Sequence, residues 1–330
     1  MSRKDREREG VTRSEFLFCY DARMCNPNGD PDENRPRIDP ATGKNLVTEF
    51  RLKRTIRDYL QKQMERPIFL RAEIADETGT TKTIDDLAEK YTTGKKKSEK
   101  TPRESLLEDY VDLRLFGLLF AVKGYHFKQT GPIQFAIGQS LNKAEEMPIR
   151  MTRVVPTREE AKAGTFGSKS ILRYSFIAFH GFLNNHVAKE VNLSEKDVSD
   201  MMKAAWFGTT DLSTTSKYGQ QSRLLLRVNY QNPNAYIGDL DRMITLENSV
   251  EEEKLEDISQ ITLNTSKLFK VLSDNKSDLR NVEWICDDEL RCKRNGTAGP
   301  FSELIKPWAS EAGINVTDLL GKWQQEEKKT

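Results

Sequence analysis

Asp30 and Asp32 stand two residues apart in the turn Asn28-Gly29-Asp30-Pro31-Asp32, close enough for two carboxylates to hold a magnesium ion for RNA cleavage. The same spacing also lets aspartates cap turns by accepting nearby backbone N–H groups, so it has a structural use too. General acid–base work near neutrality would fall to His126, His180 and His186. His180 lies in the apolar run Phe176 to Phe182 and reads as a core residue, and His186 follows Asn184 and Asn185 at an expected loop. No serine or cysteine stands in a nucleophile-elbow context, and the chain has neither a Walker-type phosphate loop nor G-x-G-x-x-G. Cys19, Cys25, Cys286 and Cys292 are too few and scattered for a disulfide scaffold and lack the C-x-x-C spacing of zinc sites. The expectation is no catalytic residue, no metal and no cofactor.

Binding is better marked than catalysis. Lys and Arg number 52 against 51 for Asp and Glu, so the net charge of +1 is silent about a polyanion and only the placement of charge can speak. Residues 113–144 hold no acid where an even spread would put about five, yet carry Arg114, Lys123, Lys128 and Lys143. Residues 212–238 are equally acid-free, with Lys217, Arg223 and Arg227. Buried strands also lack acids, but that does not account for the polar segment Thr214 to Ser222, TTSKYGQQS. Cations beside small polar residues suit phosphate, because side chains supply charge and exposed backbone N–H groups approach the anion. Arg51, Lys53, Arg54 and Arg57 crowd the start of a helix expected after Thr48, where the helix dipole disfavours cations and an external anion would relieve them. Glu49 and Asp58 offer the alternative of a solvated, internally neutralised face. The excursion Met147 to Arg173 sets Arg150, Arg153, Arg158, Lys162, Lys169 and Arg173 against Glu159 and Glu160, with Phe166-Gly167 as a tip that can stack on a base. An ordinary flexible surface loop is the other reading of that excursion.

These residues need a scaffold, and 330 residues suffice for one large domain or two small ones. With 36% hydrophobic and 31% charged residues and a mean hydropathy of −0.69, the chain reads as soluble. A charged lead-in without the apolar core of a signal peptide, and no run of roughly 20 apolar residues, point to the cytoplasm and away from a membrane. Strands are expected at Ser14 to Ala22, Pro132 to Leu141, Ile171 to Phe182, Ser222 to Tyr230 and Ile258 to Phe269. Helices are expected after Thr48, with Leu52, Ile56, Tyr59 and Leu60 on one face, from Leu106 to near Gly117, and after Ser194-x-x-Asp197. Asn28-Gly29 and four prolines make Cys25 to Pro40 a long ordered loop. Arg66 to Ser105 reads as an inserted, partly mobile subdomain. The order strand, helix, strand, strand, helix, strand predicts an α+β fold: a ferredoxin-like antiparallel sheet backed by two helices, compatible with an RNA-recognition-motif core.

Several motifs in one order resemble a known family. They are Asn26-Pro27-Asn28-Gly29-Asp30-Pro31, Asn34-Arg35-Pro36-Arg37-Ile38-Asp39, Val47-Thr48 and Leu52-Lys53-Arg54-Thr55-Ile56-Arg57-Asp58-Tyr59. Further on stand Asp112 to Gly117, Thr130 to Phe135, Gly138 to Leu141, Gly164 to Gly167 and Ser216-Lys217-Tyr218-Gly219-Gln220. Across about residues 13 to 245 the chain resembles the backbone subunit of type I CRISPR Cascade complexes, within the RAMP superfamily. Phe179-His180-Gly181 with Ile237-Gly238-Asp239-Leu240 is most similar to the type I-B branch. The resemblance implies an RRM-like palm (13–65 and 106–245), a helical fingers insertion (66–105), a β-hairpin thumb (143–170) and a C-terminal extension of the palm (246–330). It implies copies stacked along a CRISPR RNA, beside other Cascade subunits, presenting bases to target DNA, with cutting left to a recruited nuclease. Related type III subunits cut RNA with an aspartate that falls near Asp30, which keeps a metal-dependent endoribonuclease open; a general single-strand RNA-binding module is the third reading. The RNA contacts implied are Asn26, Asn28, Gly29, Arg35 and Arg37 in the loop and Arg51, Lys53, Arg54 and Arg57 on the helix. They continue through Gln134, Ser140 and Asn142, then Arg150, Arg153, Phe166 and Lys169, and end at Ser216, Lys217, Gly219 and Gln220.

Overall fold

Strand β1 (Ser14–Cys25) is buried on both sides because its alternating residues feed two separate cores. Phe16, Phe18, Tyr20 and Ala22 pack beneath helices, whereas Leu17 and Cys19 pack against the C-terminal third of the chain. The computed structural model describes residues 10–71, 86–87, 89, 91, 100–122, 125–152 and 166–328.

After β1 come β2 (Lys44–Val47) and helix α1 (Glu49–Lys62), which starts where expected. The Thr48 hydroxyl accepts the Arg51 N–H at 3.3 Å, and Leu52, Ile56 and Leu60 are buried. The helix expected from Leu106 is two, α2 (Pro102–Asp109) and α3 (Val111–Phe116), broken at Tyr110, whose extended backbone ends one and begins the other. Gly117 at φ +79° stops α3. There follow β3 (Gly117–Val122), β4 (Tyr125–Thr130), β5 (Ile133–Phe135) and β6 (Gly138–Lys143), so the single strand expected over Pro132 to Leu141 is in fact two. Next are β7 (Glu146–Thr152) and β8 (Phe166–Leu183). Helix α4 (Asn185–Glu190) replaces the loop expected at His186, because the Asn184 side chain caps it by accepting the N–H groups of His186 and Val187. Helix α5 (Glu195–Thr210) opens on a reciprocal Ser194–Asp197 capping box and leads to β9 (Gln220–Tyr230).

In the main sheet β9, β1, β8 and β6 lie side by side and antiparallel, and α1 and α5 pack against each other on one face. With α1 before β6 and α5 before β9, this is the expected strand, helix, strand, strand, helix, strand order in a mixed α+β fold. Among the described residues the main sheet has nine strands.

The C-terminal third makes the second core. It contributes β10 (Thr245–Asn248), β11 (Ile261–Asn264), α6 (Ser266–Asp274), β12 (Leu279–Cys286), β13 (Arg291–Arg294), β14 (Thr297–Pro300), α7 (Phe301–Ala312), β15 (Val316–Asp318) and α8 (Leu319–Glu327). Strand β12 extends the main sheet beside β9, and β10, β11, β13 and β14 form a second sheet. Ile258 to Phe269, expected as one strand, is a short strand and then a helix, since Leu268, Phe269 and Leu272 fall on one helical face. No helix among the described residues is long and apolar enough to cross a membrane.

Most of the expected insertion between Arg66 and Ser105 lies outside the described residues, but its first turn belongs to the core. Ile68 and Phe69 are buried, and Arg66 bonds Asp197 and Asp200 of α5. The anchor beneath is Asp112, 0% exposed, which accepts the N–H groups of Phe69 and Leu70 at 2.9 and 3.1 Å and pairs with Arg57 at 3.1 Å. Asp112→Ala strands a buried guanidinium and two amides. It should cost about 3–5 kcal/mol in urea unfolding, whereas Arg54→Ala, which breaks an exposed pair with Asp58, should cost no more than about 0.5 kcal/mol.

Candidate nucleic-acid interface

The end of β1 is where the loops converge. Arg23 N–H donates to the Gly219 carbonyl and Asn26 N–H to the Ser216 carbonyl, both at 2.8 Å, tying the segment 216–220 across the strand end. Gly219 is required there, because at φ +111° a Cβ would sit 2.3 Å from the Arg23 carbonyl oxygen. From the other side the Asn28 carboxamide oxygen accepts both the N–H and the hydroxyl of Thr48, at 2.8 and 3.0 Å, fixing the loop to the start of α1.

Three cations meet in this frame. Lys217 donates to the Asn26 carbonyl at 2.7 Å, Lys169 donates to the Thr215 carbonyl, and Arg51 donates to Thr55 at 2.8 Å. Among the described residues none of the three has a carboxylate within ion-pair distance. Burial, with Arg51 and Lys169 close by, takes the Lys217 ammonium from its ordinary value of 10.5 down to about 8. Burial likewise lowers the Arg51 guanidinium and pushes the Cys25 thiol up to about 12. Such a cluster is stabilised by an anion from outside. Two residues along α1 from Arg51, Lys53 donates to the exposed Gln134 at 2.9 Å, its ammonium lowered chiefly by burial.

Other expected contacts are spent elsewhere. Arg57 is committed to buried Asp112 and Arg54 to Asp58, so the crowding at the start of α1 is relieved in part from within. Ser140 and Asn142 are 0% exposed: the Ser140 hydroxyl accepts Asn45 N–H and donates to the Asn142 carbonyl, while Asn142 bonds Phe176 N–H and the Tyr174 carbonyl. Their side chains knit β6 to its neighbours rather than face a strand of RNA. Gln220 is also buried and donates to the Lys217 carbonyl, which shapes the loop instead of its surface. Arg223 and Arg227, counted above as unopposed, pair with Asp21, Asp287 and Glu289 and with Glu195 and Glu283. The acids come from distant parts of the chain.

The proline-rich loop is ordered by its own polar groups. Arg35 makes two bonds of 2.8 and 2.7 Å to Glu146 on β7, and Gly29 leaves room for the Asn34 side chain. The Asn26 carboxamide oxygen and Arg37 Nε are buried without partners. Asp30 caps the turn by accepting the N–H groups of Glu33 and Asp32 at 2.8 and 3.0 Å, which holds its carboxyl below the usual range. Arg150 is exposed on β7 opposite Ser168, Phe166 opens β8 opposite Thr152, and Arg153 lies outside the described residues. His180 is buried against Glu15, 3.5 Å away, consistent with a core role, and the Glu15 carboxylate takes the N–H groups of Ile237 and Gly238 at 2.8 Å.

Two residues outside the expected RNA contacts stand at the same edge. Met24 is 48% exposed at φ +50°, and Tyr218 is 76% exposed. The available signal was an aromatic inside the acid-free polar segment around Lys217.

Comparison with known proteins adds three findings. The family described as CRISPR-associated protein Cas7 matches residues 12–266. A curated protein of that name from Haloferax volcanii is 31% identical over 341 residues, covering 94% of this chain and 96% of the relative. A chain from a solved CRISPR RNA-guided surveillance complex, pre-nicking, superimposes with a TM-score of 0.53 at 13% identity, covering 91% of this chain and all of that one, a likeness of fold.

The Lys217 site has a stability signature. A lysine at about 8 when folded and 10.5 when unfolded opposes folding at pH 7, and the penalty lifts as pH climbs from 8 towards 10.5. Lys217→Met should therefore stabilise the free protein by ~1 kcal/mol at pH 7, after discount for partial exposure and the lost bond to Asn26. Urea midpoints for the two proteins should converge by about pH 10.

Proposed function

Because the chain belongs to the CRISPR-associated protein Cas7 family, we propose that it is the non-catalytic, CRISPR RNA-binding backbone subunit of a type I, I-B-like Cascade complex. The observation that carries this reading is the meeting of Arg51, Lys169 and Lys217, unneutralised, beside backbone of the segment 216–220. A ribose-phosphate strand laid across the end of β1 would supply the missing anions and be held without regard to sequence.

In this reading the main sheet with α1 and α5 is an RRM-like palm, and the residues between Arg66 and Ser105 are fingers. The β7–β8 arms begin a thumb that reaches a neighbouring copy. Copies polymerise along the guide with other Cascade subunits and leave base edges free for target DNA. Asn26, Asn28, Gly29, Arg37, Lys53, Gln134, Arg150, Ser216 and Gly219 complete the candidate path around the three cations. Asp30, whose carboxylate is engaged by its own turn, supports holding RNA rather than cutting it.

Lys217→Glu with Arg51→Glu should reduce copurified RNA at least tenfold and lower the salt slope of binding by about two charges. Arg54→Glu should do much less, and Arg57 is not a fair test because its loss would disturb Asp112. Wild-type affinity should also fall as pH passes 8 and Lys217 loses its proton, a dependence that Lys217→Arg removes. RNA loading unchanged in the double variant would sink the proposal. Guide-loaded assembly incubated with target RNA and magnesium should leave that RNA intact; periodic cuts abolished by Asp30→Ala would favour the nuclease reading instead.

A further inference from the structure

The three cations occupy the helix side of the β1 terminus. At the same strand end lies a cavity of about 690 Å³, bordered by Asp21 and Tyr174 of the sheet and Thr210 of α5, whose lining is chemically different. Asp21, Arg223, Asp257 and Glu289 line it with Gln220, Gln221 and Tyr174, so positive and negative groups alternate around it. Arg223 already satisfies Asp21 at 3.0 Å and Glu289 at 2.9 Å, and Arg23 reaches Asp257 at 3.4 Å. A phosphate entering here would meet three carboxylates whose cations are engaged. A neutral, planar ring with donors and acceptors on its edge would meet no such penalty.

The mouth of this cavity is built to present two large side chains. Met24 and Tyr218 both line it and both are largely exposed. Neither exposure is incidental to a floppy loop. Met24 holds a left-handed backbone at φ +50°, a conformation that an unbranched side chain pays for with strain. It follows directly on Arg23, whose N–H and carbonyl are both pressed against Gly219, the residue after Tyr218. The backbone tie between Arg23 and Gly219 thus holds the two residues that flank it, Met24 and Tyr218, at one strand end. Tyr218 is also the neighbour of Lys217 in sequence, so from one turn the ring lines the cavity while the ammonium bonds the Asn26 carbonyl.

We propose that this edge divides a nucleotide by chemistry, with the phosphate on Arg51, Lys169 and Lys217 and one nucleobase seated between Met24 and Tyr218 at the mouth of the mixed-charge cavity. Tyr218 supplies a stacking face and Met24 a polarisable apolar contact, neither of which reads base identity. The inference rests on the RNA-binding reading above and adds a base subsite to it.

The test uses the full chain and short single-stranded RNA oligonucleotides, with binding followed by fluorescence anisotropy across a salt series. Tyr218→Ala should weaken binding about 5- to 50-fold without changing the salt slope, Tyr218→Phe should bind as wild type, and Met24→Ala should show a smaller loss. An RNA made abasic at one position should bind wild type and Tyr218→Ala equally, which places the missing base on that ring. Lys217→Glu in the same series must lower the salt slope; if it does not, the phosphate reading fails and this subsite falls with it. If Lys217→Glu behaves as expected but Tyr218→Ala binds normally, or loses as much on every abasic RNA as on intact RNA, the base subsite alone is overturned. Normal RNA binding with smaller assemblies in Tyr218→Ala would overturn it in favour of a contact between copies.

Discussion

Three positive charges held together without a counter-charge are the constraint around which this molecule is arranged. Burial and mutual repulsion would drive Arg51, Lys169 and Lys217 apart if their backbones could move. They cannot, because each comes from a different rigid element: the first turn of α1, the long strand β8, and a loop pinned across the end of β1. The carbonyls of Asn26 and Thr215 offer partial negative charge in place of a carboxylate. That is enough to orient the ammonium groups while leaving their charge unspent.

Elsewhere several largely buried arginines are paired with acids. Arg57, Arg66, Arg114, Arg223 and Arg227 all end on buried or half-buried carboxylates, and two of these pairs, Arg66–Asp197 and Arg223–Asp21, join segments more than a hundred residues apart. Such pairs fix register and packing, since a buried charge that loses its partner is expensive. Against those pairs, a cluster of three cations with no acid of its own stands apart. The contrast, more than the number of basic residues, marks the surface.

Local signals in the sequence predicted local structure well. Thr48 and Ser194 start helices because a hydroxyl there accepts an N–H within the next turn, a relation complete within four residues. The strand order was legible for a similar reason, since each buried strand carries its own apolar run. What the sequence could not reveal was pairing at a distance. Arg57 looks like Arg51 until Asp112 is placed beside it, and Ser140 and Asn142 look like surface polar residues until Asn45 and Tyr174 close over them. Over Ile258 to Phe269 a short strand and the start of an amphipathic helix share one apolar content, and only the fold separates them.

Strand β8 runs unbroken for 18 residues, pairing with β7 near its start and with β1 along its remainder. The β7–β8 pair and the middle of the sheet are therefore joined by one continuous strand. Any shift of the β7–β8 pair is therefore carried along one strand into the register of β8 with β1, and Lys169 sits on that shared strand, opposite Ile149.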